Sequence, residues 1–248
     1  MRVYAIGDIH GQLDLLRAAH RRIEADGGTD ARIVHLGDLV DRGPDSRGVI
    51  DLLIDGQARG RDWIVIKGNH DRLFSQFLTD PDWIDPGLAQ ASHWVEHPGL
   101  GAAATLASYG LDADQPRAAL HGAALRAVPR DHARWLAGLP PWHLHPRALF
   151  VHAGVRPGVD LQHQAEQDSL WIRRDFLDSA VDHGPLVVHG HTSVRQPEHH
   201  GNRLNLDTGA AYGGPLTAAV FDDGGVWQLT EAGRVAILPL PVAARDPI

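Results

Sequence analysis

The chain has 248 residues, and its 43% hydrophobic and 22% charged residues are the composition of an ordinary globular protein. The absence of cysteine excludes disulfides and thiolate metal sites, and the formal net charge of −8 argues against a protein that binds a nucleic-acid duplex. No apolar run reaches the roughly 18 residues of a membrane span and the first residues show no signal-peptide pattern, so we expect a cytoplasmic protein.

The first seventy residues alternate between short apolar runs and segments with helical spacing. Strands are predicted at 2–6, 32–36 and 63–66, and helices at 13–23, at 49–53 and from 73 onward. Three successive strand-then-helix units predict an α/β sheet with parallel neighbours.

The middle of the chain, at about 74–146, loses this alternation and is rich in alanine, tryptophan and histidine. Helical patches lie around 88–96, 101–108 and 131–138. We interpret the stretch as a helical insertion within a single domain spanning residues 1–238. The remaining C-terminal tail, 239–248, is expected to be loosely held.

Strands return after the insertion. They are predicted at 148–151, 186–189, 203–206, 216–221 and 226–229. Strands at both ends of the chain with helices between them predict an α/β protein in which two sheets pack as a sandwich flanked by helices.

Metal-binding residue types follow several of the predicted strands. The motifs, in chain order, are GDIHG at 7–11, GDLVDRG at 37–43, GNHD at 68–71, VHAG at 151–154 and HGHT at 189–192. Ligands of open α/β sheets collect at the carboxyl ends of the strands, so these loops should converge. A single motif of this kind is a weak signal, whereas this ordered series predicts a metal centre.

Aspartate, histidine and asparagine together suit manganese, iron or zinc better than an all-oxygen magnesium or calcium site. A carboxylate has two oxygens, so Asp38, which lies between the other ligands in strand order, is predicted to bridge two divalent ions. The expected ligands of one ion are Asp8, His10 and Asp38, and those of the other are Asp38, Asn69, His152 and His191. Manganese is the expected metal, with iron or zinc as alternatives.

The order of these motifs resembles the phosphoprotein-phosphatase family of metallophosphoesterases, and is most similar to its bacterial members. The resemblance runs from about residue 3 to 221, and SLWIR at 169–173 and DTGA at 207–210 also look like bacterial family features. It implies the metallophosphoesterase fold, a four-layer α/β/β/α sandwich of two mixed sheets, and agrees with the metal ligands above.

The predicted reaction is the in-line attack of a metal-bridging hydroxide on a phosphate ester. Arg42, four residues after Asp38, is predicted to hold the phosphoryl oxygens, a role that the resemblance supports. Arg173 is the second candidate, with its neighbour Arg174 as the alternative. His70 is predicted to protonate the leaving group. Asp41 would orient His70, the alternative being a salt bridge from Asp41 to Arg42.

Other polar residues are ambiguous. His189 suggests a structural or supporting role, and Asp207 either supports the site or caps a turn. We expect no direct role for the histidines away from the motifs: His20, His97, His121, His132, His143, His145, His199 and His200. The tryptophans of the insertion are expected in the core, with base stacking as the alternative: Trp83, Trp94, Trp135 and Trp142.

The expected function is hydrolysis of phosphate monoesters, in particular by a serine/threonine protein phosphatase acting on a phosphorylated protein or a small phosphorylated substrate. The alternative is a symmetrical diadenosine tetraphosphate hydrolase. By the same resemblance, Asp71 in GNHD favours that alternative, because eukaryotic-type protein phosphatases typically carry Glu at this position. Asp41 favours the phosphatase, because dinucleoside polyphosphate hydrolases typically lack an acidic residue there. A non-catalytic binding module is disfavoured because no metal ligand is missing. The sequence does not indicate the oligomeric state.

Overall fold

The computed structural model describes residues 2–241. Its helices and strands follow in the order β1 (Val3–Ile6), α1 (Leu13–Gly27), β2 (Ile33–His35), α2 (Ser46–Ala58), β3 (Trp63–Val65), α3 (Asn69–Phe77), α4 (Ala102–Ser108), α5 (Arg117–Ala127), α6 (Arg130–Ala137), β4 (Trp142–His145), β5 (Ala148–Val151), α7 (Glu166–Trp171), α8 (Arg174–Leu177), β6 (Leu186–His189), β7 (Glu198–His199), β8 (Arg203–Asn205), β9 (Ala218–Asp222), β10 (Gly225–Thr230) and β11 (Gly233–Ala236). Within residues 2–241, no helix combines the length and apolar character needed to cross a membrane.

The strands form two mixed sheets. The first has the order β11-β10-β9-β1-β2-β3, with β1, β2 and β3 parallel and β9 antiparallel to β1. The second has the order β4-β5-β6-β8-β7, with β5, β6 and β8 parallel. The parallel strands of each sheet therefore direct their carboxyl ends, and the loops that follow, toward one edge.

The apolar side chains of β1 alternate between two hydrophobic layers. Val3 and Ala5 pack into the layer between the two sheets, and Tyr4 and Ile6 pack against the helices on the outer face of the first sheet. The layer between the sheets includes Phe150 of the second sheet and Phe221 of the first, whose rings meet edge to face at 5.6 Å. A third cluster, which includes Phe176 of α8, covers the other face of the second sheet. The predicted α/β/β/α sandwich is thus confirmed.

The helical patches expected around 101–108 and 131–138 correspond to α4 and α6, and the insertion departs from the expected pattern elsewhere. The patch around 88–96 forms only a 3-10 turn at Trp94–Glu96, and α5 was not predicted. The helical prediction was wrong at the end of the insertion, because Trp142–His145 pairs with β5 as an edge strand. Of the expected tail, 242–248 lie outside the described residues. Its start is held, since the Leu240 amide donates to the carbonyl of His199 at 2.7 Å.

Candidate metal centre and active site

The loops after β1, β2, β3, β5 and β6 meet at one edge of the sandwich. They border a cavity of about 450 Å³, which is lined by Asp8, His10, Asp38, Arg42, Asn69, His70, Leu88, His97, Gly99, Leu100, Trp171, Arg173, His191, Thr192, Ser193, Asp207 and Tyr212. The convergence expected from strand order is therefore present, and histidines, carboxylates and two arginines share the cavity.

Asp38 lies at the centre of this cluster. Its Oδ2 atom is 3.3 Å from Nε2 of His10, and its Oδ1 atom is 3.3 Å from Nε2 of His152. Two groups of potential ligand atoms, each within 4.8 Å of one another, contain this carboxylate: His10, Asp38 and His70, and Asp38, His152 and His191. The two oxygens thus face different donor groups, which is the arrangement that a bridging carboxylate requires.

Second hydrogen bonds fix which ring nitrogen each histidine presents to Asp38. His10 Nδ1 donates to the carbonyl of Val40 at 2.8 Å, and His152 Nδ1 donates to the carbonyl of Leu36 at 2.9 Å. The Nε2 lone pair of each neutral ring is then left facing the carboxylate. Burial lowers the pKa of His152, which favours this neutral, metal-binding form.

Asn69, the first residue of α3, faces the second donor group. Its Oδ1 atom lies 2.9 Å from Nε2 of His152 and 2.9 Å from Nδ1 of His191. Because Nε2 of His152 carries a lone pair, the oxygens of Asn69 and Asp38 and this nitrogen are all acceptors that face one another. Acceptor atoms that face one another repel unless a cation lies between them, and this donor set suits a divalent cation.

Asp8, another predicted ligand, belongs to neither three-residue group among residues 2–241. Its Oδ2 atom accepts from the amide of His191 at 3.0 Å, whereas its Oδ1 atom is buried without a hydrogen-bond partner. Burial and the charges of Asp207 and Asp38 raise the pKa of Asp8 well above its usual value. A cation beside Oδ1 would relieve both the missing partner and the repulsion, so the residue fits a metal site.

Non-glycine residues with a left-handed backbone conformation are concentrated in these loops. Within the described part of the chain, the non-glycine residues with positive φ are His10, Asp38, Asp41, Arg42 and His191. Such a conformation is unfavourable for residues with a Cβ, and it persists where the surrounding structure imposes it. Each of these positions had been predicted as a site residue from sequence, so backbone strain and site chemistry coincide.

Two glycines allow the loops to approach closely. A Cβ on Gly68 would collide with the backbone of Asp38, and one on Gly190 would collide with the carboxylate of Asp8. Both positions therefore require glycine for steric reasons. Asp71 holds the same loops together, since Oδ1 accepts from the Leu39 amide at 2.9 Å and Oδ2 from the Gly68 amide at 2.8 Å.

His70 and Asp41 form a buried pair beside the candidate metal ligands. Nδ1 of His70 lies 2.6 Å from Oδ2 of Asp41, and Nε2 of His70 lies 4.0 Å from Oδ2 of Asp38. Burial lowers the pKa of His70, and the charges of Asp38 and Asp41 oppose that effect. Asp41 is also the acceptor for Nε1 of Trp94 at 2.9 Å and for Oγ1 of Thr105 at 2.7 Å. Trp94 was expected in the core and is buried there, whereas its hydrogen bond to Asp41 and the role of Thr105 were not expected from the sequence.

The arginines differ in their contacts. Nη1 of Arg42 donates to Nε2 of His10 at 2.5 Å, and its guanidinium lies 5.4 Å from the centre of the Tyr212 ring. Nη1 of Arg173 donates to Oγ1 of Thr192 at 3.1 Å, and both residues line the cavity. Arg174 is the first residue of α8 and does not line the cavity.

The ambiguous residues divide between the cavity and the core. His189 contacts Arg203 and Phe176 away from the cavity, and burial lowers its pKa to about 3. Asp207 lines the cavity and also caps a turn, because it accepts from the amide of Gly209 at 3.0 Å. His97, for which no direct role was expected, also lines the cavity. No local pattern around His97 indicated this position.

Comparison with known proteins agrees with this geometry. The family model described as calcineurin-like phosphoesterase matches residues 1–221. Serine/threonine-protein phosphatase 1 of Salmonella typhimurium is 29% identical, with 88% of this chain and 90% of the relative covered. The asymmetrical bis(5'-nucleosyl)-tetraphosphatase PrpE of Geobacillus thermodenitrificans is 26% identical, with coverage of 90% and 91%.

Among solved structures, the cold-active protein-tyrosine phosphatase of a psychrophilic Shewanella species superimposes with a TM-score of 0.56. It is 16% identical, and 94% of this chain and 79% of that chain are covered, so this likeness supports the fold alone. The family match spans most of the chain, and the bacterial relatives include members of the phosphoprotein-phosphatase group. The chain belongs to the calcineurin-like phosphoesterase family and is a hydrolase of the metallophosphoesterase type.

Proposed function

We propose that the protein hydrolyses phosphate monoesters and is a protein phosphatase of the serine/threonine type. The observation that carries this proposal is the buried pair of His70 and Asp41 at 2.6 Å beside the metal-ligand cluster. Hydrolysis of phosphoserine or phosphothreonine expels an alkoxide, a poor leaving group that needs a proton. Cleavage of a phosphoanhydride expels a stabilised phosphate and needs this proton much less.

The two oxygens of Asp38, which face His10 and His152 respectively, support two sets of metal ligands. We propose that one ion is bound by Asp8, His10 and Asp38 and the other by Asp38, Asn69, His152 and His191. Two divalent ions held there, with manganese expected, would activate a water molecule and neutralise phosphoryl charge.

The protein's own groups would then act on the rest of the ester. Arg42 and Arg173 border the same cavity and are proposed to bind the non-bridging phosphoryl oxygens, because guanidinium groups match their geometry. His70, oriented by Asp41, donates a proton from Nε2 to the leaving oxygen. The structural alternative for Asp41, a salt bridge to Arg42, is less well supported, since Arg42 contacts His10.

The charges of the cavity also favour a single phosphoryl group. Its permanently cationic side chains are Arg42 and Arg173, and Leu88, Leu100 and Tyr212 supply an uncharged part of its wall. A tetraphosphate chain brings several further charges that would need partners, whereas a peptide-borne phosphate does not.

A second candidate substrate is a dinucleoside tetraphosphate. The relative from Geobacillus thermodenitrificans carries this activity in its name, and its similarity covers 90% of this chain. That name specifies asymmetrical cleavage, whereas the alternative drawn from the sequence was symmetrical cleavage. Asp71, which had favoured this alternative, binds the Gly68 and Leu39 amides and does not line the cavity. It therefore gives little support to either substrate.

The deciding experiment compares hydrolysis of a phosphothreonine peptide and of diadenosine tetraphosphate with Mn²⁺ present. Preferential release of inorganic phosphate from the peptide supports the proposal. Preferential cleavage of the dinucleotide would overturn it, and the products would then identify the type: two molecules of ADP for symmetrical cleavage, or ATP and AMP for asymmetrical cleavage. The Asp38→Asn protein, assayed in parallel, reveals any contaminating phosphatase.

A further inference from the structure

Trp94 lies beside the proposed catalytic pair of His70 and Asp41. It belongs to a segment, residues 85–101, that supplies Leu88, His97, Gly99 and Leu100 to the cavity lining. We call this segment the wall. The indole of Trp94 is buried and lies 5.2 Å from the ring of Phe74 and 5.2 Å from that of Phe77. Both phenylalanines belong to α3, the helix whose first turn contains His70.

The polar end of the same indole reaches the catalytic pair. Nε1 of Trp94 donates to Oδ2 of Asp41 at 2.9 Å, and this is the oxygen that also contacts Nδ1 of His70 at 2.6 Å. The other oxygen of Asp41 accepts from Oγ1 of Thr105 at 2.7 Å. Hydrogen bonds to a carboxylate are directional, so these two donors restrict the rotation of Asp41 about its side-chain bonds.

The wall itself is anchored at both ends. At its start, Arg72 of α3 binds Asp85 through two hydrogen bonds of 2.9 and 2.8 Å. At its end, the amide of Arg42 donates to the carbonyl of Gly101 at 3.3 Å. Trp94 is therefore held between fixed points, and its indole N–H has a defined position relative to Asp41.

We propose that Trp94 is a positioning residue for the proton donor: its indole N–H fixes the Asp41 carboxylate and, through it, directs Nε2 of His70 into the cavity. This inference rests on the proposed role of His70 as general acid. Trp94 does not line the cavity itself, so its effect is exerted through Asp41. The interaction also links the wall to the step in which the leaving group is protonated.

The test replaces Trp94 with Phe, which retains an aromatic ring and removes the N–H. We expect kcat for a phosphothreonine peptide to fall roughly 10-fold, because a hydrogen bond to a charged carboxylate typically contributes at least this factor, with KM unchanged. The rate with 4-nitrophenyl phosphate, whose leaving group needs no proton, should change less than about twofold. Metal content, measured by elemental analysis, should equal that of the wild type.

Trp135→Phe is the matched control. Nε1 of Trp135 donates to Oε1 of Gln57 at 2.8 Å, so this change removes a similar bond outside the cavity. It should leave the ratio of the two rates unchanged. An equal loss on both substrates in Trp94→Phe, or a ratio like that of Trp135→Phe, would overturn the positioning role. If Trp94→Phe does not fold, Trp94→Leu removes the same N–H with a different apolar side chain.

A measurement without turnover examines the contact directly. In NMR spectra of the metal-free protein, the indole N–H resonance of Trp94 can be assigned because it is missing from Trp94→Phe. This resonance should shift when Asp41 is changed to Asn, whereas that of Trp135 should not. No shift would overturn the inferred contact. His70→Asn separates the two proposals: if its losses are equal on both esters, the general-acid role itself fails. If His70→Asn loses more activity on the peptide than on 4-nitrophenyl phosphate but Trp94→Phe loses activity equally on both, only the positioning role fails.

Discussion

Nδ1 of His70 lies 2.6 Å from Oδ2 of Asp41, although the two residues are 29 positions apart: Asp41 is in the loop after β2, and His70 is in the first turn of α3. If His70, oriented by Asp41, protonates the leaving group, His70→Asn should lower kcat on a phosphothreonine peptide by roughly 10²–10⁴-fold. The loss should be much smaller on 4-nitrophenyl phosphate, because nitrophenolate departs without protonation. Comparing kcat for the two esters at equal metal content is the measurement.

Asp41→Asn provides the companion measurement. It keeps the shape of the side chain and removes the charge that opposes the lowered pKa of His70. Asp41→Asn should lower kcat mainly on the phosphothreonine peptide, as His70→Asn does. The double variant should have a kcat only slightly below that of His70→Asn alone. Additive losses would contradict the idea that the two residues act as one unit.

Asp38→Asn tests the proposed role of Asp38 as a ligand that bridges two metal ions. Both oxygens of Asp38 face histidine nitrogens at 3.3 Å, so an amide would present one oxygen and one NH₂ group to sites that need two oxygens. We expect loss of activity and of much of the bound metal, measured by elemental analysis after gel filtration. Asp14→Asn, whose side chain is 98% exposed on α1, is the control. Near-normal activity in Asp38→Asn would refute the bridge.

Arg173 and Arg174 are adjacent in sequence and differ in position. Arg173 borders the cavity and contacts Thr192, whereas Arg174 begins α8 outside the cavity. Arg173→Ala should lower kcat/KM by about 10- to 100-fold, the worth of roughly 1.5–3 kcal/mol for a hydrogen bond to a charged group. Arg174→Ala should change it less than about twofold. The reverse order of effects would transfer the phosphate-binding role to Arg174.

Much of the cavity was predictable because its chemistry follows the strands. Asp8, Asp38 and Asn69 lie just beyond β1, β2 and the turn after β3, and parallel strands bring such positions to one edge. Trp94 and His97 could not be predicted in the same way. They lie in a stretch with little regular structure, and only its tertiary anchoring to α3 and Gly101 brings them to the site.

The end of the insertion was predicted as part of a helical stretch, although it forms strand β4, for a related reason. The alternation of β4, with Trp142 and Leu144 separated by histidine, is too short to be distinguished from the end of a helical stretch. Its strand conformation comes from pairing with β5, through contacts such as Trp142 with Val151. Helix α5 was missed because its alanine-rich sequence has no marked apolar face, since only Leu120 and Ala124 are buried.

His20 of α1 and His35 of β2 form a buried histidine pair whose protonation should affect the stability of the fold. Nε2 of His20 lies 2.9 Å from Nε2 of His35, and Nδ1 of His35 donates to the carbonyl of Ile64 at 3.1 Å. Nε2 of His35 therefore accepts a hydrogen bond from Nε2 of His20. Protonation of His35 would place a second proton between the two nitrogens, where there is no room for it. Burial lowers the pKa of His20 to about 2 and that of His35 to about 4, from 6.5.

Between pH 6.5 and about 4, the unfolded chain binds protons at these positions and the folded chain does not, so the free energy of unfolding falls as the pH falls. Each histidine contributes up to about 1.4 kcal/mol per pH unit. In urea titrations of the metal-free protein, His20→Gln should therefore flatten the pH dependence by up to that amount. His163→Gln, whose parent side chain is 76% exposed, should retain the wild-type slope. An unchanged slope in His20→Gln would mean that the pair does not resist protonation.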